Sequence, residues 1–95
     1  MIKMKFPLGE QYKTLGVQNL IEEGHLHEEE IIIMIHRHAH GDFGEVPKED
    51  WKANEDAIKN GGRIVSSYTS KSGKTIWIIT EADRSYTTVM LPHEY

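Results

Sequence analysis

The sequence predicts an α+β domain: a short N-terminal strand, three short helices, then a three-stranded antiparallel meander packed against the helices. Three observations predict it. From Gly62 to Tyr95, three runs rich in β-branched and aromatic residues are separated by Lys71-Ser72-Gly73-Lys74 and by Glu81-Ala82-Asp83-Arg84-Ser85, both turn-forming. Residues 14–60 carry helical spacing with start and stop signals. Helices in one run and strands in the next are the order of an α+β domain, with helices on one face of an antiparallel sheet.

Taken in order, the first element is a short strand over Leu8–Lys13. It is expected at the sheet edge, because Pro7 cannot donate to a ladder. Thr14 has the side chain of a helix cap, and Val17, Leu20 and Ile21 share one helical face, with Gly24 as the stop. Residues 25–40, HLHEEEIIIMIHRHAH, read two ways. Four isoleucines suit a buried strand. Three glutamates first and Arg37 with histidines last suit a helix, and this charge placement and the length favour the helix. Gly41 is its expected left-handed cap. Pro47–Lys59 is the clearest helix, with Pro47, Glu49 and Asp50 in the first turn and Trp51, Asn54 and Ile58 on one stripe beside Ala57. Asn60-Gly61-Gly62 ends it.

The strands follow. Ile64–Ser70 places Ile64, Ser66 and Tyr68 on one face and Val65, Ser67 and Thr69 on the other. Thr75–Thr80, TIWIIT, has the two-sided apolar character of a central strand. Tyr86–Leu91 is the last strand, and Pro92 stops it. One strand end thus gathers Ser66, Ser67, Tyr68, Glu81, Asp83, Arg84, Ser85, Thr87 and Thr88. It reads either as a polar hairpin tip or as a binding surface of Tyr68, Asp83, Arg84, Ser85 and Thr87.

Composition bounds the function. The 95 residues make one domain, 1–95, with 38% hydrophobic and 27% charged residues, an ordinary globular balance. There is no cysteine, which excludes disulfides and thiolate chemistry. The longest apolar run, Ile31–Ile35, is too short for a signal peptide or a membrane span, so a soluble cytoplasmic protein is expected, with no membrane partner. The net charge of −4 is uneven: residues 25–60 hold four basic and nine acidic side chains, and residues 61–95 four and three. A weakly acidic chain has no overall attraction for phosphate backbones, so the expected macromolecular partner is a protein before a nucleic acid.

Two side-chain sets bear on chemistry. His36, His38 and His40 alternate, with His25, His27 and Asp42 nearby. On a strand the first three share a face and suit a metal; on a helix only His36 and His40 converge, and no HExxH or CxxC accompanies them. No metal or other cofactor is therefore expected. His38, Arg63 and Glu81 would serve RNA cleavage as acid/base, phosphate clamp and companion base, on a layout that loosely resembles small ribonucleases of the barnase type. The final turn carries Asp83 and Arg84 where those enzymes keep a histidine. Nucleotide, hydrolase and helix-turn-helix motifs are missing.

His38 with Gly41-Asp42-Phe43-Gly44, Glu49-Asp50, Asn54-Glu55, Gly62-Arg63-Ile64, Ser67-Tyr68 and IWIITEADRSYTTVMLPHEY together resemble a family of small proteins from plasmids, prophages and other bacterial mobile elements. Some of its members are labelled "plasmid-related protein" or "type I restriction endonuclease subunit M"; no methyltransferase motif accompanies the second label. The resemblance runs from Leu8-Gly9 onward, and Thr80–Ser85 is its most specific part. Phe43 stands where the family pattern has tryptophan, and residues 25–30, His36 and His40 are particular to this chain. The resemblance implies a helix over 28–38 and a phage or plasmid setting, and no activity. Taken with the residues, the leading expectation is a binding accessory protein of a phage or plasmid, with a metal-independent ribonuclease as the alternative. An exposed edge strand, Leu8–Lys13 or Tyr86–Leu91, would allow a strand-to-strand homodimer.

Overall fold

A computed structural model describes residues 3–95 of the chain; Met1 and Ile2, within the expected domain, lie outside them. The elements are β1 (Glu10–Lys13), α1 (Leu15–Glu22), α2 (Glu28–Ala39), α3 (Lys48–Asn60), β2 (Ile64–Thr69), β3 (Thr75–Thr80) and β4 (Tyr86–Met90), followed by a 3₁₀ turn at Pro92–Glu94. The sheet has four strands in the order β1-β4-β3-β2.

The α+β class and the antiparallel β2-β3-β4 meander are as the sequence predicts, but the sheet is not a meander with a separate N-terminal strand. β1 joins it as a fourth strand, parallel to β4, with Glu10 opposite Tyr86 and Lys13 opposite Val89. The sheet is therefore mixed. The helical layer permits this: α1, α2 and α3 intervene between β1 and β2, which frees the chain to return in either sense. β1 also starts later than expected. Gly9 takes φ +65°, and a Cβ there would collide with the Arg84 and Ser85 carbonyls, so the strand begins only at Glu10.

Each helix has a local cause. The Thr14 side chain accepts from the Val17 N–H at the start of α1. In α2, Glu30 reaches back to accept from the His27 N–H at 3.0 Å, completing half of a capping box, and Glu28 and Glu29 add negative charge at the positive dipole end. Pro47 precedes α3, whose first turn holds Glu49 and Asp50.

The helices cover one face of the sheet. Val17, Leu26, Ile31, Met34, Tyr68, Ile76, Ile78 and Val89 form one buried cluster; Phe6, Leu8, Ala39, Phe43, Ala57 and Ile64 form a second. Ile35 packs against both. Each fully buried isoleucine contributes on the order of 2 kcal/mol relative to solvent exposure. No helix among the described residues is long and apolar enough to cross a membrane.

Candidate functional site

The sequence-selected polar residues fall into three separate places. The first is a buried row of polar side chains beneath α2. Strand parity turns Ser66 of β2, Thr80 of β3 and Thr87 of β4 inward, and α2 lowers His38 between them. His38 is fully buried, with Nδ1 2.5 Å from the Ser66 hydroxyl and Nε2 2.9 Å from the Thr80 hydroxyl. Thr80 and Thr87 lie 2.7 Å apart, and Thr87 donates to the Leu8 carbonyl at 2.7 Å.

That last bond orders all the others. A hydroxyl has one proton, so Thr87 must accept from Thr80, and Thr80 must accept from His38 Nε2–H. Nδ1 is left to accept from Ser66. The row fixes a neutral histidine in one tautomer, with every donor pointing from β2 toward Leu8. Burial pushes the imidazole down to about 3, and the edges of Phe6 and Phe43 close around the ring. His38 has neither solvent access nor a free nitrogen to offer a substrate.

Arg63 and Glu81 stand elsewhere, at the surface, where the guanidinium donates to Glu81 at 3.1 Å and to the Tyr95 hydroxyl at 2.8 Å. The three residues considered for RNA cleavage are thus divided between the core and the exterior. The histidines divide similarly. His36 and His40 stack on the surface with ring centroids 4.1 Å apart, while His38 points inward. No group of three or more metal-ligating side chains occurs among the described residues.

The second place is the β3–β4 tip. Asp83 accepts from the Ser85 N–H at 2.9 Å, closing an Asx turn. Arg84, at φ 60°, points back under the tip and donates to the carbonyls of Gly62, Ala57, Glu81 and Ala82 at 2.6, 2.8, 3.1 and 3.3 Å. It pins the tip to the negative end of α3. Tyr68 and Thr87 are each only 1% exposed. Of the five residues picked for binding, Asp83 and Ser85 alone are exposed, and the five do not share a surface. Tyr68 instead donates to the Asp42 carbonyl at 2.6 Å beneath Arg37, which clamps the Asp42 carboxylate at 2.7 and 3.3 Å. Burial pushes the Tyr68 phenol up to about 12, and the Arg37 hydrogen bond holds Asp42 below the usual carboxylate range.

The third place is the pair of sheet edges, β1 and β2. Of the two strands expected as possible dimer edges, Leu8–Lys13 is at an edge, but Tyr86–Leu91 is not, because β4 lies between β1 and β3. At β2 the outward backbone groups of Val65 and Ser67 are taken. The Asn54 side chain accepts from the Val65 N–H at 3.0 Å and donates to its carbonyl at 2.8 Å, as a neighbouring strand would. Residues 43–45 do the same for Ser67: its N–H donates to the Phe43 carbonyl at 3.2 Å and its carbonyl accepts from Glu45 N–H at 2.7 Å. Gly44 (φ +72°) permits this approach, because a Cβ would strike the Ser67 carbonyl and the Tyr68 ring.

At β1 the reverse holds. Glu10 and Thr14 turn their N–H groups to Ser85 and Val89 of β4, at 3.0 and 3.1 Å. Strand parity then directs the backbone of Gln11 and Lys13 away from the sheet. All four residues of β1 are exposed. Around this edge lie exposed Tyr12 and Tyr86, with rings 5.9 Å apart, then Leu15 and Ile32. A cavity of about 220 Å³ between β1 and α2 is lined by Gln11, Tyr12, Lys13, Ile31, Ile35 and Val89.

The signals for these features were in the sequence at low strength. Asn54 reads as one more member of the core stripe, although an amide is out of place there. Tyr12 reads as an ordinary strand aromatic. Thr80 is the third inward hydroxyl opposite a buried histidine. No family model, curated protein sequence or solved structure matches the chain.

Proposed function

We propose that the protein is a non-enzymatic interaction protein that takes up an extended polypeptide segment as an additional strand on β1. The observation that carries this reading is the unequal treatment of the two sheet edges: side chains and a loop close β2, while β1 presents the backbone of Gln11 and Lys13 to solvent beside an apolar groove. An open edge supplies main-chain hydrogen bonds, and a flanking groove supplies side-chain selectivity. The residues considered for catalysis give less support to an enzyme, since His38 is sequestered and Arg63 and Glu81 are paired with one another. The net charge of −4 favours a polypeptide partner over nucleic acid. A phage or plasmid setting rests on the resemblance centred on Thr80–Ser85, and a cytoplasmic location rests on composition.

The test is to pan a display library of random linear peptides against the immobilised protein and map any binder by ¹H–¹⁵N NMR. The expected result is a hit that shifts the Gln11 and Lys13 amides and fails to bind a Gln11→Pro variant. Binders that map only to the β3–β4 tip or to α3, or an exhaustive search with none, would overturn the reading.

A further inference from the structure

The open edge has room for one strand, and we infer that the strand it takes is β1 of a second copy, in an antiparallel register that sets Tyr12 against the second copy's Tyr12. This deepens the edge-binding reading and rests on it.

The register follows from hydrogen-bond parity. Only Gln11 and Lys13 direct backbone groups outward, so the hydrogen-bonded pairs across a two-fold axis must join these residues. Three symmetric registers satisfy this. Pairing Gln11 with Gln11 runs Lys13 against Gly9, whose φ of +65° lies outside the extended region, so the ladder is short. Pairing Lys13 with Lys13 sets two like charges directly opposite one another. Pairing Gln11 with Lys13 avoids both faults and extends the ladder from Glu10 to Thr14 on each copy. It also leaves Tyr12 facing Tyr12 as the central non-hydrogen-bonded pair, where side chains come closest.

The side chains agree with this register. Gln11 and Lys13 share a face with Thr87 and Val89, toward α2; Tyr12 shares the other with its ring partner Tyr86. The dimer would carry four tyrosines in a continuous row across its outer face, covering rings that are 53% and 40% exposed in one copy. The strand EQYK holds one acid and one base, so it does not repel itself. Lys13 pairs with Glu28 at 3.1 Å, on the α2 side of the strand. β1 carries no proline or bulge, and its one inward lysine, Lys13, is paired with Glu28, whereas β2 is closed at Val65 and Ser67. With the outward groups of only two residues on each copy, the association is expected to be reversible and concentration-dependent.

The chain has no cysteine, which gives a clean test. A non-hydrogen-bonded antiparallel pair has Cα atoms about 4.5 Å apart, within disulfide range. Tyr12→Cys should therefore form a covalent dimer under mild oxidation, and Gln11→Cys, which faces Lys13, should form at least fivefold less. Sedimentation of the unmodified protein across a hundredfold concentration range should show a monomer–dimer equilibrium. Tyr12→Lys, which places two charges at the axis, should shift it to monomer while leaving the circular dichroism unchanged. A protein that remains monomeric throughout, or cysteine variants that cross-link equally, would overturn the self-pairing. If library peptides still map to Gln11 and Lys13 in that event, edge binding stands and only the occupant is wrong. If they do not, both readings fall together.

Discussion

Two strands bound the sheet, and they meet their surroundings on different terms. Along β2, the outward N–H and C=O of Val65 are held by one Asn54 side chain, and those of Ser67 by the backbone of Phe43 and Glu45. Along β1, the corresponding groups of Gln11 and Lys13 face solvent in a strand exposed at every residue. The difference shows that edge closure in this chain is specific work by particular residues. It requires an amide at position 54, a glycine at position 44 and a turn held by the Arg37–Asp42 clamp. None of these has a counterpart beside β1 among the described residues. An unpaired edge is a hazard that proteins commonly blunt, and this sheet blunts one of its two edges.

The same substitution at both edges gives the sharpest contrast. Ser67→Pro deletes the N–H that donates to Phe43 and should cost about 3 kcal/mol in urea unfolding. A loss below about 1 kcal/mol would show that residues 43–45 only lie beside β2 without closing it. Next in size, Asn54→Ala should cost about 2–3 kcal/mol, because it strands both polar groups of Val65 under α3. A neutral result there would mean that water replaces the amide freely.

The row that joins the edges has its own signature. His38 holds a folded pKa of about 3, beneath the ordinary 6.5. The unfolded chain therefore takes up a proton that the folded chain refuses. Its contribution is complete above pH 6.5 and is lost as pH falls toward 3, at a slope approaching about 1.4 kcal/mol per pH unit. Between pH 6.5 and 5 this slope should precede the loss from Asp42 and Glu94, whose carboxyls lie below their ordinary values. Stability that is flat over that interval would mean that His38 is already charged in the fold. The smallest effect belongs to the open edge: Gln11→Pro should change stability by less than about 1 kcal/mol, since the lost N–H bonds no group among the described residues. A larger loss would show that β1 is not an open edge.

Much of the architecture was legible because it depends on local pattern. The acidic start and basic end of 28–39 decide helix over strand despite the isoleucine run, since a run of four isoleucines fits either. TIWIIT announces the central strand through apolar residues on both faces. What local pattern cannot carry is long-range pairing. Nothing within Glu10–Lys13 records that its partner is Tyr86–Val89, or that the two run parallel. The expected polar surface failed for a related reason. Alternation assigns Ser66, Tyr68 and Thr87 to faces but does not say which face the helices cover, and they cover the one bearing the hydroxyls. Arg84 next to Asp83 reads as an exposed charged tip; only the nearness of the α3 end, a tertiary fact, turns it inward.

The parallel pairing of β1 with β4 also sets a timetable. Among the described strands β1 is made first, and β4, the strand it pairs with, is made last. Until β4 has been made, β1 has both of its edges bare, not one. The same delay applies to Glu94, which crosses the molecule to accept from Thr14 at 2.6 Å and from the Gly16 N–H at 3.0 Å. A second copy whose β4 is already made would offer the same pairing, so exchange of β1 between copies is the misassembly that this chain order would favour. Crowded polysomes, where emerging copies are closest, are where such exchanged pairs would accumulate first.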